Sequence, residues 1–188
     1  VKIGKHRLIY YLLDLLKDVE NVRMVVGFKE EEVIEYVKNI RNDVVFIRNN
    51  NYNSTTNSYS LYLGSKDLKE GYITIDGDMI VEPESFKNFI KNCGEEDLVA
   101  VTKAKTEDAV FVELNEQGEV KSFSRNPISD LEWSGIAYFH NIKINKEGRY
   151  VFEELIPFLP IKSIDINCWE IDTPQDLDRA LNSISYIL

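Results

Sequence analysis

The first half of the chain alternates short apolar runs with amphipathic segments, and this alternation restricts the folds open to it. Residues 22–26 and 44–47 are short runs rich in β-branched residues, which predicts two strands. His6–Asp18 and Glu30–Ile40 carry apolar residues at helical spacing, which predicts two helices. Strands that alternate with helices are typical of an α/β fold in which helices connect neighbouring parallel strands.

The second half contains closely spaced strands, which predicts an antiparallel addition to the sheet. Residues 115–118, Asn-Glu-Gln-Gly, separate two apolar runs and are typical of a hairpin turn. The pattern predicts one domain over residues 1–188, a Rossmann-like three-layer α/β/α sandwich with a mixed, mostly parallel sheet. The other predicted strands are Tyr72–Ile75, Leu98–Lys103, Val110–Leu114, Val120–Ser124, Gly135–Phe139, Ile161–Ile166 and Cys168–Ile171, and the other predicted helices are Tyr59–Leu68, Pro83–Lys91, Lys146–Phe158 and Pro174–Ile184.

Two acidic motifs, far apart in sequence, each follow a predicted strand. Asp76-Gly77-Asp78 follows Tyr72–Ile75, and Asp172 follows Glu170 at the end of the strand before the last helix. Sites in α/β folds assemble at strand ends. Mg²⁺ takes one or two carboxylates and leaves its other positions to phosphate oxygens. The two motifs therefore predict a metal site for nucleotide chemistry.

Each motif also has a structural explanation. Asp76-Gly77-Asp78 alone is compatible with an acidic loop that holds no metal. Asp172-Thr173-Pro174 is compatible with a helix entry, because Asp favours helix N-termini and Pro fits the first turn. The presence of both motifs in one chain favours the metal site.

Two further groups of residues are candidates for ligand recognition. The segment from Arg48 to Asn57 contains five Asn, and Thr55, Thr56 and Asn57 at its end offer the donors and acceptors that a nucleobase requires. Trp133 and Trp169 each lie next to an acid, Glu132 and Glu170 respectively. An aromatic face beside a carboxylate can hold a quaternary ammonium. A solvated connector and two core tryptophans are the structural alternatives.

The composition argues against two classes of partner. The formal net charge is −10 and the isoelectric point is about 4.8, which argues against a nucleic-acid groove or an anionic membrane surface. The longest apolar runs are shorter than a membrane span. Cys93 and Cys168 have no zinc-type partners near them in sequence, and two isolated cysteines favour a reducing cytoplasm. We therefore expect a cytoplasmic protein that acts on small molecules.

Five segments together resemble the nucleotidyltransferase superfamily, whose members join an NTP to a phosphorylated small molecule. Within it, the chain looks most like the small bacterial choline-phosphate cytidylyltransferase and sugar-phosphate nucleotidyltransferase group. Each segment alone is a weak signal, but together they follow the order of the family along nearly the whole chain. They are residues 2–5 (KIGK), 52–61 (YNSTTNSYSL), 75–79 (IDGDM), 134–139 (SGIAYF) and 169–177 (WEIDTPQDL).

The resemblance implies a function and roles for the candidate residues. Asp78 and Asp172 are implied to carry a catalytic Mg²⁺, with Asp76 and the loop Thr55–Asn57 on the nucleotide side. Trp133, Trp169 and Glu170 are implied on the acceptor side. The implied substrates are an NTP, CTP by preference, and a phosphocholine-like or sugar 1-phosphate acceptor.

The chain departs from the family pattern at its beginning. The family opens with a strand, a glycine-rich G-x-G-x-R loop and a Pro-Lys pair that hold the triphosphate, whereas this chain begins just after them. We expect the natural protein to begin upstream. Two alternatives remain open at this stage. One is a glycosyltransferase that uses Asp-x-Asp to bind a metal and a nucleotide sugar, and the other is a non-catalytic nucleotide-binding module.

Overall fold

The computed structural model describes residues 1–105 and 109–183. Their helices are α1 (Leu8–Leu15), α2 (Glu30–Lys38), α3 (Asn57–Ser65), α4 (Pro83–Asn92), α5 (Val151–Leu155), which a short 3₁₀ turn at Ile156–Phe158 extends, and α6 (Pro174–Ser183). Their strands are β1 (Lys2–Ile3), β2 (His6–Arg7), β3 (Arg23–Val26), β4 (Val45–Arg48), β5 (Tyr72–Ile75), β6 (Met79–Val81), β7 (Leu98–Lys103), β8 (Phe111–Leu114), β9 (Glu119–Ser124), β10 (Leu131–Phe139), β11 (Ile161–Asp165) and β12 (Cys168–Glu170).

The main sheet has six strands in the order β5-β10-β7-β11-β9-β8. The strand β7 lies inside it and is buried from Leu98 to Thr102, so its unbroken apolar run faces packed layers on both sides. Val99 and Val101 belong to the cluster that includes Val151 and Leu155 of α5. On the opposite face, Ala100 belongs to a cluster with residues of α1 and α4.

The predicted mixed α/β class is confirmed, but the expected predominance of parallel pairing is wrong for the described strands. Only β3–β4 and β7–β11 are parallel pairs there. The reason is β10, which lies antiparallel between β5 and β7, together with the antiparallel hairpin of β8 and β9. The three-layer arrangement of the whole chain stays a prediction.

The first five helices all differ from their predicted bounds at one end or both, and the largest difference is at the start of α5. The helix predicted from Lys146 begins only at Val151, because the Glu154 carboxylate accepts hydrogen bonds from the backbone and side chain of Asn145 and holds the preceding residues in a turn. The last helix is described to Ser183, and its predicted end, Ile184, lies outside the described residues.

Two short strand pairs position the N-terminal and acidic segments. β1 and β2 form a small antiparallel pair where the sequence predicted the start of a helix at His6. The strand β6, which the sequence analysis did not predict, pairs with β12 and forms a second small sheet. No helix among the described residues is both long and apolar enough to cross a membrane.

Candidate functional site

The pairing of β6 with β12 brings the two acidic motifs together. Asp78 comes directly before β6, and Glu170 ends β12. In the antiparallel register Met79 lies opposite Glu170, and the backbone N–H of Ile171 donates to the carbonyl oxygen of Asp78 at 2.9 Å. The start of one strand therefore lies beside the end of the other, and the acids that flank them become neighbours.

Three carboxylates meet at this point. One side-chain oxygen from each of Asp78, Glu170 and Asp172 lies within 4.8 Å of the other two. Oδ1 of Asp78 is buried, and no group of the described residues donates a hydrogen bond to it. A buried carboxylate oxygen without a donor is costly unless a cation or another donor pairs with it.

Burial, together with neighbouring charges, raises the pKa values of three carboxyl groups at the site. Burial, reinforced by the charges of Asp78 and Asp172, raises the pKa of Asp76 to about 7. Partial desolvation raises the pKa of Glu170 to about 7 as well, and Asp78 and Asp172 are its strongest charged neighbours, although Glu170 is an exposed residue. Burial and the charge of Asp172 also raise the pKa of Asp78, whereas the residue's own backbone N–H acts in the opposite direction and leaves Oδ1 without a donor.

These residues fit a divalent cation. Carboxylate oxygens are hard ligands of the kind that Mg²⁺ prefers. A cation between them would offset the repulsion among the carboxylates and would pair with the free oxygen of Asp78. The donor set and its uncompensated charge both favour such an ion.

Asp76 lies beside this group and close to Gly135. A Cβ atom on Gly135 would lie 2.7 Å from Oδ2 of Asp76, so a larger residue there would force this carboxylate to shift. Gly135 has a φ of +76° and lies in an irregularity of the β10–β7 pairing between Trp133 and Ala137. Ser134 stabilises the irregularity, because its hydroxyl donates to the carbonyl oxygen of Ala100 and accepts from the N–H of Ile136.

The polar loop predicted to lie near the base forms an internal hydrogen-bond network. Asn49 is buried, and its side-chain amide donates to the hydroxyls of Thr55 and Ser60, each at 3.0 Å. The Thr55 hydroxyl donates to the carbonyl oxygen of Asn51, and the Thr56 hydroxyl donates to that of Gly148. Asn57 opens α3 and is exposed. The base-binding role of Thr55, Thr56 and Asn57 stays a prediction.

The two tryptophans occupy different surroundings. Trp133 packs on the cluster that contains Val99 and Leu155, with its ring edge against Phe123 and its indole N–H 3.4 Å from the carbonyl oxygen of Ile136. Trp169 lies partly buried beside the cluster that includes Ile80 and Ile171. The Lys105 ammonium lies 5.8 Å from the centroid of a Trp169 ring. Their predicted acceptor role remains untested.

A family model described as "Domain of unknown function (DUF6564)" matches residues 2–128, which is more than half of the chain. The chain belongs to the DUF6564 family. The matched region contains Asp76 and Asp78, whereas Glu170 and Asp172 lie beyond it. The sequence of this DUF6564 member matches no curated protein.

Solved nucleotidyltransferase structures share the fold. The chain superposes on the inositol-1-phosphate CTP transferase from T. maritima with a TM-score of 0.79 at 17% sequence identity, over 97% of this chain and 83% of that one. For the CTP:phosphocholine cytidylyltransferase LicC from Streptococcus pneumoniae the TM-score is 0.75 at 20% identity, over 97% and 87% of the two chains. HddC from Yersinia pseudotuberculosis, complexed with GMP-PN, gives 0.77 at 16% identity, over 97% and 88%. The resemblance to the nucleotidyltransferase superfamily is thus confirmed for the fold.

Sequence reasoning on this DUF6564 chain missed three features of the site. The sequence predicted Glu170 on the acceptor side, which stays a prediction, but not its position beside the carboxylates of Asp78 and Asp172. Its spacing of two residues from Asp172 repeats the Asp76–Asp78 spacing and was the available signal. The contacts of Gly135 with Asp76 and of Lys105 with Trp169 join segments far apart in sequence and have no local signature.

Proposed function

We propose that this protein is a Mg²⁺-dependent nucleotidyltransferase that joins an NTP, with CTP as the preferred substrate, to a small phosphorylated acceptor. The convergence of Asp78, Glu170 and Asp172, with a free buried oxygen on Asp78, is the observation that carries the proposal. The shared fold supports it, because two of the three neighbours named above are called a CTP transferase and a cytidylyltransferase.

The reaction needs no protein nucleophile. A phosphate oxygen of the acceptor attacks the α-phosphorus of the NTP and forms a new phosphorus–oxygen bond. The bond from that phosphorus to the bridging oxygen breaks, and pyrophosphate leaves with the electron pair. The protein must therefore align the two substrates and stabilise the negative charge that develops in the transition state.

The acidic residues would have different roles, according to their positions in the site. Asp78 and Asp172 would hold Mg²⁺, with Glu170 as a third carboxylate beside them. Bound Mg²⁺ supplies charge neutralisation and orientation for phosphate oxygens. Asp76, packed against Gly135, borders the same group and would shape the wall on the nucleotide side.

The two remaining parts of the substrate are assigned from the sequence. The loop that ends in Thr55, Thr56 and Asn57 would lie along the base, because Asn57 is exposed at the start of α3 and its amide offers both a donor and an acceptor. The acceptor would carry a phosphate, as in phosphocholine or a sugar 1-phosphate.

Pyrophosphate release tests the proposal. The protein, expressed from its natural start codon, would be assayed with Mg²⁺ and with CTP, UTP or dTTP against phosphocholine, aminoethylphosphonate, glucose 1-phosphate and inositol 1-phosphate. We expect release with a restricted set of pairs, its loss in Asp78→Asn, and no change in Asp67→Asn, which alters an exposed carboxylate outside the site.

Other outcomes would contradict nucleotidyl transfer. Release of a nucleoside diphosphate from a nucleotide sugar would favour a glycosyltransferase that uses Asp76-Gly77-Asp78. Nucleotide binding by a folded protein that shows no release with any pair would favour a non-catalytic module.

A further inference from the structure

The side chain of Lys105 occupies the face of Trp169. Its ammonium lies 5.8 Å from the centroid of a Trp169 ring and 4.0 Å from a carboxylate oxygen of Glu132. It also donates to the hydroxyl of Thr102 at 2.8 Å and to the carbonyl oxygen of Lys103 at 2.9 Å. An aromatic face, a carboxylate and two oxygen acceptors together form a cation site, and the chain fills it with its own ammonium.

Both members of this charge pair are largely shielded from solvent. The side chains of Lys105 and Glu132 are 26% and 14% exposed. The backbone N–H of Lys105 also donates to Glu132, so both the backbone and the ammonium of the lysine interact with this carboxylate. Removal of the ammonium would leave Glu132 half-buried without its cation, which favours entry of another cation in its place.

The cation site borders the carboxylates of the candidate active site. Trp169 and Glu170 are successive residues of β12, and the charge of Glu132 acts on the carboxyl of Glu170. The carbonyl oxygen of Lys105 accepts a hydrogen bond from Arg179 of α6, which ties the lysine to the helix that follows Asp172. Lys105 and the carboxyl group of Glu170 are thus linked through Glu132.

We propose that Lys105 determines the class of acceptor, because its ammonium occupies the Trp169 face that a quaternary ammonium would need. The acceptor is then a phosphorylated sugar or polyol and not a phosphate ester with a quaternary ammonium. A second cation at this position would be repelled by the lysine and would find the aromatic face taken. Trp133 packs, partly buried, on the core cluster and against Phe123, so Trp169 is the ring that Lys105 covers. The inference rests on the proposed nucleotidyl transfer for the meaning of "acceptor", but the cation site itself does not.

Choline binding to the protein, without nucleotide, tests the cation site. The indole N–H resonance of Trp169, assigned by its loss in Trp169→Phe, would be followed during titration with choline chloride and with the neutral isostere dimethylbutanol. In Lys105→Met we expect saturable shifts with choline and none with dimethylbutanol. In the unmodified protein we expect an affinity for choline at least about tenfold weaker than in Lys105→Met. Lys103→Met, which removes an exposed lysine of the same strand, should behave like the unmodified protein.

Equal saturable shifts in the unmodified protein and Lys105→Met would overturn the inference, as would a folded Lys105→Met that gives no choline-specific shift. Should Lys105→Met fail to fold, Lys105→Gln removes the charge and keeps a hydrogen-bond donor for Thr102 and the carbonyl oxygen of Lys103, and the same criteria apply to it.

Turnover tests the consequence for specificity. In the protein expressed from its natural start codon, the ratio of kcat/KM for phosphocholine to that for glucose 1-phosphate should rise at least about tenfold in Lys105→Met. An unchanged ratio would contradict the specificity role. Absence of pyrophosphate release with every acceptor would instead contradict the proposed function, and the choline titration would still decide whether Lys105 reserves the tryptophan face.

Discussion

Oδ2 of Asp76 lies 2.7 Å from the position that a Cβ atom on Gly135 would occupy. The two residues come from adjacent antiparallel strands, since Asp76 follows β5 and Gly135 lies within β10. The absence of a side chain at one residue thus makes room for the carboxylate of the other. This contact explains why a left-handed glycine lies in the middle of a long strand.

Replacement of Gly135 by alanine should destabilise the protein more than the same change at Gly118. The two glycines have nearly equal φ values, +76° and +77°, but a Cβ on Gly118 would meet nothing within 4 Å. Both variants bear the cost of a left-handed alanine, and Gly135→Ala adds the clash with Asp76. We expect an extra loss of at least about 1 kcal/mol in the free energy of unfolding. Equal losses in chemical denaturation would show that the contact is unimportant.

Asp78→Asn should separate stability from metal binding. Burial and the charge of Asp172 disfavour ionised Asp78, so removal of its charge should leave the metal-free protein as stable as before or more stable. The affinity for Mg²⁺, measured by calorimetry, should fall at least about tenfold, because outer partners of metal sites alone are worth that much. A less stable variant with unchanged Mg²⁺ affinity would contradict a ligand role for Asp78.

The metal-free protein should lose stability as the pH rises towards neutrality. Asp76 and Glu170 have pKa values of about 7 in the folded protein, against ordinary values of 3.8 and 4.5. Between these values the folded state binds more protons than the unfolded state, so the free energy of unfolding falls with rising pH. Thermal denaturation from about pH 5 to about pH 8 should show this fall.

Two comparisons isolate the acidic group from other titrating residues. The fall in the free energy of unfolding with rising pH should be smaller in the double variant Asp76→Asn/Glu170→Gln. Saturating Mg²⁺ should reduce this fall in the unmodified protein. An identical pH profile in the double variant would contradict the titration of Asp76 and Glu170 as the cause of the fall.

A single arginine, Arg41, connects the residues that follow α1 to the segment before β4. The guanidinium of Arg41 donates to the carbonyl oxygens of Leu16 and Val19, each at 2.9 Å, and pairs with Asp43. Arg41→Met should lower the free energy of unfolding by about 1–3 kcal/mol, because two partly buried carbonyls lose a charged donor. Asp43→Asn, which removes only the exposed ion pair, should cost clearly less than Arg41→Met. Equal costs in urea denaturation would assign the effect to the ion pair.

Local sequence patterns predicted most of the regular structure. β5 and β7 have the predicted bounds, because an apolar, β-branched run between polar segments has few alternatives to a strand. The helix at Pro83 was predicted from its proline in the first turn, and the side chain of Glu82 caps it by accepting from the N–H groups of Glu84 and Ser85.

The missed elements depend on partners far away in the sequence. β6 has three residues, too few to show a period, and it exists because β12 pairs with it. The helix predicted from Lys146 begins late because Glu154 holds Asn145 in a turn. Periodicity describes one segment at a time and contains no information on such contacts.

The candidate site, like the fold, could be predicted from the sequence only in part. Asp78 and Asp172 could be selected from sequence, because each follows a strand, and their proximity followed from a family resemblance. The position of Glu170 among them, the space that Gly135 leaves for Asp76 and the ammonium of Lys105 on Trp169 all arise from packing between strands.

The fate of the α-phosphate tests the central claim most directly. The protein expressed from its natural start codon would be incubated with Mg²⁺, a phosphorylated acceptor and CTP labelled on either the α- or the γ-phosphate. We predict that the α-label moves into a product that contains the acceptor, that the γ-label appears in pyrophosphate, and that Asp78→Asn abolishes both while Asp67→Asn does not. Retention of the α-label in CTP, or its transfer by Asp78→Asn at the unmodified rate, would contradict a nucleotidyltransferase built on these carboxylates.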